Sequence, residues 1–180
     1  METHGIVYIV DDDPWMREST RLIVGSVGLE ARAYPDAAAF LRDDKPQCPA
    51  CLILDLRMPG TSGFELLESL RAQGMALPVI MVTGYGDLPT AVRAMKSGAA
   101  DFLEKPFREQ ALLDLVQRCL EQDARQRQDQ ALRAEARARL ARLSEREKEV
   151  LVHLVAGHAN KVIAAELGIS ERTVEAHRAV

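Results

Sequence analysis

Apolar and polar residues follow two rhythms along this chain. Up to about residue 107, short apolar runs alternate with stretches in which apolar residues recur every three or four positions. The runs IVYIV (6–10), CLILDL (51–56), PVIMVT (78–83) and DFLEK (101–105) predict strands, with a weaker one at EARAY (30–34). Between them the spacing predicts helices over 14–27, 36–42, 64–73 and 88–97. The first carries Trp15, Leu22, Ile23 and Val27 among its apolar positions, and the third Phe64, Leu66, Leu67 and Leu70. Regular alternation of strand and helix implies an α/β fold, a doubly wound five-stranded parallel sheet with helices on both faces. In such sheets the functional crevice lies past the carboxyl ends of the strands.

The second rhythm is helical throughout. From about 107 to 143 no Gly or Pro interrupts the chain. Leu112, Leu113, Val116 and Leu120 form one apolar stripe, and Leu132, Ala136, Leu140 and Leu143 continue at spacings of three and four. The segment EQDARQRQDQ (121–130) between them is polar all round, so the stripe is too broken for a coiled coil and favours an extended helical linker. SERE (144–147) then has the form of a capping box, and its helix places Val150, Leu151, Leu154 and Val155 on one face before Gly157. NKVIAAELGISERTVEAHRAV (160–180) predicts a second short helix, a turn at Gly168 and a third helix capped by Ser170. Ile163, Ala164, Leu167, Gly168, Ile169 and Val174 have helix-turn-helix spacing. A small helical bundle without a nucleic-acid role has the same pattern.

Composition narrows the classes. The chain has 180 residues, 47% hydrophobic and 28% charged, enough for one ordinary domain and a smaller one. No apolar run approaches the roughly 18 to 20 residues of a membrane helix. The start METHGIVYIVDDD lacks the basic lead and apolar stretch of a signal peptide, so a cytoplasmic address without membrane association is expected. Net charge is −5 over residues 1–107, +2 over 108–143 and −1 over 144–180, which gives no argument for nucleic acid. Cys48 and Cys51 form CPAC, but they lead into a strand pattern and Cys119 stands far from them. Reduced structural cysteines fit better than a zinc or redox pair.

The crevice rule gathers scattered polar residues onto one rim. Asp11 and Asp12 follow the first strand, Asp55 ends the third, Thr83 the fourth and Lys105 the fifth. Two carboxylates about 4 Å apart repel by roughly 4 kcal/mol at an effective dielectric near 20. A cation relieves that repulsion, and a set of carboxylates with no adjacent His or Cys suits Mg2+ better than the larger oxygen cage of Ca2+. Lys105 supplies a fixed positive charge on the opposite side and Thr83 a hydroxyl, which together suggest a phosphoryl-binding site. Asp13, followed by Pro14, has instead the signature of a helix N-cap and first helical residue. Carboxylates that merely cap helices explain each residue singly, but not why each follows an apolar strand.

The motifs DDD (11–13), LDLRMPGTSG (54–63), VTGYGD (82–87) and DFLEKPF (101–107), in that order, resemble the receiver domains of bacterial two-component response regulators. The resemblance implies a CheY/flavodoxin-like receiver in which Asp55 is the phosphoacceptor. Asp11, Asp12, Asp55 and the backbone carbonyl of Arg57 would hold Mg2+. Thr83 would bond the phosphoryl oxygens, Lys105 would pair with the acyl phosphate, and Phe102 would be the aromatic switch. An acyl phosphate carries about −2 charge. A charge-assisted hydrogen bond from Thr83 contributes roughly 1.5 to 3 kcal/mol, comparable with the gap in a two-state switch. The expected result is a changed face on helix 88–97, the fifth strand and the helix after Pro106, and a homodimer on phosphorylation.

LSEREKEVLVHLVAGHANKVIAAELGISERTVEAHR (143–178) in turn resembles the LuxR-type DNA-binding domain. Receiver plus LuxR-type domain is the layout of the NarL/FixJ family, and DFLEKPF with the long linker points to its FixJ-like branch. The implied organisation is a receiver over 1–122, a helical linker over 123–142 and a helix-turn-helix domain over 143–180. The resemblance implies a transcription factor rather than an enzyme, with no catalysis beyond Mg2+-dependent self-phosphorylation and autodephosphorylation. Its partners would be a sensor histidine kinase, promoter DNA and RNA polymerase. Arg172, Thr173, Glu175 and Arg178 would face base edges or phosphates, with Lys161 on the backbone and His177 partly buried. The sequence ends at Val180, within the expected recognition helix, so weak or absent specific DNA binding is expected of these residues alone. Two other classes compete with this one. A haloacid-dehalogenase-type phosphohydrolase puts a second Asp two residues after the nucleophile, where this chain has Arg57. A phosphorylation-independent interaction module is disfavoured because every expected site residue is present.

Overall fold

The five apolar runs pair into one parallel sheet, as a computed structural model describing residues 5–43, 47–84 and 87–178 shows. The strands are β1 (Ile6–Val10), β2 (Glu30–Tyr34), β3 (Ala50–Asp55), β4 (Val79–Thr83) and β5 (Asp101–Glu104), in the order β2-β1-β3-β4-β5. They alternate with α1 (Pro14–Gly25), α2 (Ala37–Arg42), α3 (Gly63–Ala72), α4 (Leu88–Lys96) and α5 (Glu109–Ala141). The chain divides into two compact units, Met1–Gln128 and Asp129–Val180. Tyr85 and Gly86 of the VTGYGD motif lie outside the described residues.

Alternate residues of each strand feed two separate cores. Tyr8, Val10, Leu52, Leu54 and Met81 face Phe40 of α2, Phe64, Leu66, Leu67 and Leu70 of α3 and Ala94 of α4. Val7, Ile9, Cys51, Ile53, Ile80 and Val82 face Val24 of α1 and Leu112, Leu115, Val116, Cys119 and Leu120 of α5. Strands buried on both faces read as unbroken apolar runs. EARAY is weak for the complementary reason: β2 is an edge strand, pairs only with β1 and is half exposed. Cys51 and Cys119 are free core residues, and burial pushes both thiols up, Cys119 to about 11.

In α1 the apolar positions do not mark the buried face. Trp15 is 84% exposed and Leu22 and Val27 are also exposed, whereas Thr20 and Val24 are buried. At about 100° per residue, Trp15 and Leu22 fall on the side of α1 opposite Val24, so the polar Thr20 belongs to the buried face. The N-cap is as expected: Asp13 accepts from the amides of Trp15 and Met16, with Pro14 in the first turn. α5 is anchored on the first unit beyond its apolar stripe. Asp123 is buried and accepts from Ala50 N at 2.9 Å and from Arg127 Nε at 2.6 Å.

The second unit packs α6 (Glu145–Val155), α7 (Asn160–Leu167) and α8 (Glu171–Arg178) around Val150, Ile163, Ala164 and Val174. Ser144 and Glu147 form the expected capping box. Gly168 ends α7 at φ +65°, the left-handed conformation that a turn between two short helices needs and that Gly adopts without strain. Leu154, Leu167 and Ile169 pack against the core, but Val155, expected on the same face, is 82% exposed. No helix among the described residues is long and apolar enough to cross a membrane.

Candidate functional site

The parallel sheet brings four of the five rim residues together at its carboxyl edge. Asp11 follows β1, Asp55 and Thr83 are the last residues of β3 and β4, and Lys105 follows β5. Asp11, Asp55 and Thr83 are buried. Lys105 Nζ donates to Asp11 Oδ2 and to Asp55 Oδ1, both at 2.7 Å. The lysine therefore lies between the two carboxylates rather than across the site from them. It answers their repulsion directly, as a buried like-charge pair requires.

Backbone amides hold the outer oxygens. Asp11 Oδ1 accepts from Asp13 N at 2.9 Å, and Asp55 Oδ2 from Arg57 N at 2.8 Å. Burial pushes the Asp55 carboxyl above its ordinary value; the Lys105 bond and charge oppose this, Asp11 adds to it and the Arg57 amide pulls it down. Burial also works against the Lys105 charge, yet the bonds to Asp11 and Asp55 outweigh it and raise its pKa. The ammonium gains two partners while Asp55 shares one with a like charge, so the proton is held on lysine.

Asp12 is exposed, and so is the Arg57 side chain. Asp11, Asp12 and Asp55 do not close into a triad of ligand atoms within 4.8 Å; among the described residues only a group in the second unit does. Thr83 is 1% exposed, and its carbonyl accepts from Lys105 N at 2.7 Å, tying the ends of β4 and β5 together. Phe102, opposite Met81 in the register, is half-buried against the core on the α2–α4 side of the sheet.

Two positioning residues escaped the sequence reading. Arg17 Nη1 donates to the carbonyls of Asp11 at 2.7 Å and Asp12 at 3.3 Å, fixing the loop that bears them. Nothing in DDDPWMR distinguishes it from a surface arginine. Gly63 opens α3 where a Cβ would stand 2.4 Å from the Asp55 carbonyl oxygen and 2.9 Å from Leu56 Cα. Only Gly lets α3 start so close behind Asp55. Its place in the quoted LDLRMPGTSG motif was the available signal.

In the second unit the expected DNA-facing residues separate into two groups. Lys161, Arg172 and Glu175 are exposed. Thr173 is half-buried, its hydroxyl 2.8 Å from Ser170 Oγ, and Arg178 Nη1 donates to Asn160 Oδ1 at 2.8 Å. Those two side chains already have partners within the unit. His177 is half-buried, as expected.

Residues 7–117 match the response regulator receiver domain, and residues 141–180 match the bacterial regulatory proteins of the luxR family. The chain belongs to the response regulator family. This response regulator carries a receiver domain and a LuxR-type DNA-binding domain. It is 49% identical to the transcriptional regulatory protein FixJ of Azorhizobium caulinodans, across 96% of this chain and 82% of that one. It is 40% identical to the response regulator protein TodT of Pseudomonas putida, across 97% of this chain and 77% of that one. The solved structure of the response regulator StyR superimposes with a TM-score of 0.86 at 43% identity, covering 97% of this chain and 88% of that chain. Full-length FixJ from B. japonicum gives a TM-score of 0.64 at 42% identity, covering 97% and 86%.

Proposed function

We propose that Asp55 of this response regulator is the phosphoacceptor for a sensor histidine kinase, and that its phosphorylation controls promoter binding by the second unit. The observation that carries the proposal is Lys105 Nζ at 2.7 Å from both Asp55 and Asp11. That arrangement holds the Asp55 carboxylate at the sheet edge with a cation beside the oxygen that would attack. In the transfer, an Asp55 oxygen forms a bond to phosphorus, the phosphorus–nitrogen bond of the donor's phosphohistidine breaks, and the released imidazole takes up a proton. Lys105 then pairs with a phosphoryl oxygen in place of the lost carboxylate charge, and the Thr83 hydroxyl donates to another.

An oxygen-only donor set fits Mg2+, which takes one or two carboxylates and keeps several waters, so it needs no tight triad. Asp11, Asp12, Asp55 and the Arg57 carbonyl would hold it, and when bound it would offset negative charge building on the phosphoryl oxygens. Asp12 is the exposed member and the one that an arriving cation would draw in.

Drawing Thr83 toward the phosphoryl group would open space that Phe102, half-buried in β5, turns inward to fill. The face of α4, β5 and α5 then changes shape and supports a homodimer. We read the organisation as a receiver over 1–122, a helical linker over 123–142 whose first turn is held by Asp123 and Arg127, and a helix-turn-helix domain over 143–180. Arg172 and Glu175 supply the base-edge or phosphate contacts and Lys161 a backbone contact; Thr173 and Arg178 contribute only if their present bonds exchange. RNA polymerase is the remaining partner and the cytoplasm the place of action, with self-phosphorylation and autodephosphorylation the only chemistry. Mass spectrometry after treatment with a small phosphodonor and Mg2+ tests the acceptor. One added phosphoryl group is expected on the intact chain and none on Asp55→Asn; equal labelling of both would refute the assignment.

A further inference from the structure

The second unit holds a cluster to which the proposed function gives no role. His153 of α6, His158 in the turn after it and Glu166 near the end of α7 converge on one point. His153 Nδ1 lies 3.0 Å from His158 Nδ1 and 2.9 Å from Glu166 Oε2, and His158 Nδ1 lies 3.7 Å from the same oxygen. The two rings are tilted by 37° with centroids 5.3 Å apart, so neither stacks flat on the other.

Two imidazole nitrogens this close repel through their lone pairs when both are bare and through their hydrogens when both are protonated. A shared proton or a cation resolves the contact. The dimensions favour a cation: ligand atoms about 2.0–2.2 Å from a tetrahedral zinc stand roughly 3.3–3.5 Å from one another. Edges of 2.9, 3.0 and 3.7 Å bracket that spacing. The side chains are 23%, 40% and 49% exposed, which leaves a path for the ion and a fourth corner for water.

We infer that His153, His158 and Glu166 bind one borderline transition-metal ion, of the zinc, cobalt or nickel class, with water as the fourth ligand. Two imidazoles and one carboxylate match that class and not Mg2+, whose sites are built from oxygen. The ion joins the end of α6 and its turn to the end of α7. Among the described residues, the fully buried core that these two helices share with α8 is Val150, Ile163, Ala164 and Val174, so such a cross-link reinforces a small hydrophobic core.

Titration of the chelator-treated full chain with Co2+ alone, in excess Mg2+, tests the site. The expected result is one equivalent of Co2+ with the visible absorption of a four-coordinate nitrogen and oxygen site, no thiolate charge-transfer band, and displacement by Zn2+. Zn2+ should also raise the thermal unfolding midpoint of the second unit. His158→Ala, an exposed turn substitution that should fold, is expected to lower Co2+ affinity by about tenfold or more, since losing even an outer-shell partner costs that much. Asp12→Ala should leave the absorption unchanged. No uptake at micromolar Co2+, a thiolate band, equal uptake by His158→Ala, or loss of the signal in Asp12→Ala overturns the proposal.

Discussion

The receiver and the helix-turn-helix unit place their polar chemistry differently. In the receiver, Asp11, Asp55 and Thr83 are buried at the ends of core strands, and the site shares its atoms with the core. In the smaller unit, Lys161, Arg172 and Glu175 are exposed while four buried apolar residues hold the helices. The covalent chemistry proposed for the rim would need fixed positions and excluded water, and both come from burial. A surface that meets a solvated polyanion needs exposed charge on a stable mount. Substitutions near the receiver site should therefore change stability and chemistry together, whereas in the second unit the two should separate.

Gly63→Val should have the largest effect. Its Cβ would meet the Asp55 carbonyl oxygen at 2.4 Å, so backbone must move, at a cost of about 3 kcal/mol, and phosphorylation should fall with it. Urea unfolding and phosphodonor labelling measure the two losses; a stable variant with unimpaired labelling would break the claimed link between site and core.

Asp55→Asn should act in the opposite direction. Burial raises the folded pKa of Asp55 above its ordinary 3.8, so folding favours the neutral acid, and ionisation removes stability as pH rises through the folded value. In chelator, the Asn variant should thus unfold at higher urea than the natural chain at pH 7, and the gain should vanish as both forms of Asp55 become protonated at pH below 3.8. An Asn variant that is less stable at pH 7 would show that the Lys105 bond contributes more than burial removes.

Ser144→Ala should cost the second unit about 1 kcal/mol through loss of the capping box, and leave the exposed face of α8 intact. Smaller still, Arg172→Ala should change stability by less than about 0.5 kcal/mol. By the proposed function it should nevertheless weaken promoter binding, measured by fluorescence anisotropy at fixed salt. Equal stability losses from these two changes would erase the distinction between mount and surface.

Much of this arrangement is legible in the sequence because parallel sheets leave strong local traces. Buried strands appear as apolar runs, and the residue at or just past the end of four of them lands on the rim, which makes the set Asp11, Asp55, Thr83 and Lys105 readable from the chain. The position of Lys105 between the carboxylates was not legible, because spacing along the chain gives its strand end but not the reach of its side chain. Arg17 was missed because it acts through backbone carbonyls, which carry no residue signature. The buried face of α1 is not legible from its apolar positions, because Trp15 and Leu22 are exposed while the polar Thr20 is buried.

The doubly engaged lysine also gives the rim a preference by sign. Asp11, Asp12 and Asp55 bring three formal negative charges against the two positive charges of Lys105, whose ammonium is already bonded twice, and of Arg17, whose guanidinium is bonded to the carbonyls of Asp11 and Asp12. A free oxyanion such as inorganic phosphate or sulfate meets net repulsion there, while a cation meets attraction. If Asp55 is phosphorylated as proposed, the rim keeps out in free form the anion it would hold by a covalent bond, and solution phosphate should compete poorly for it.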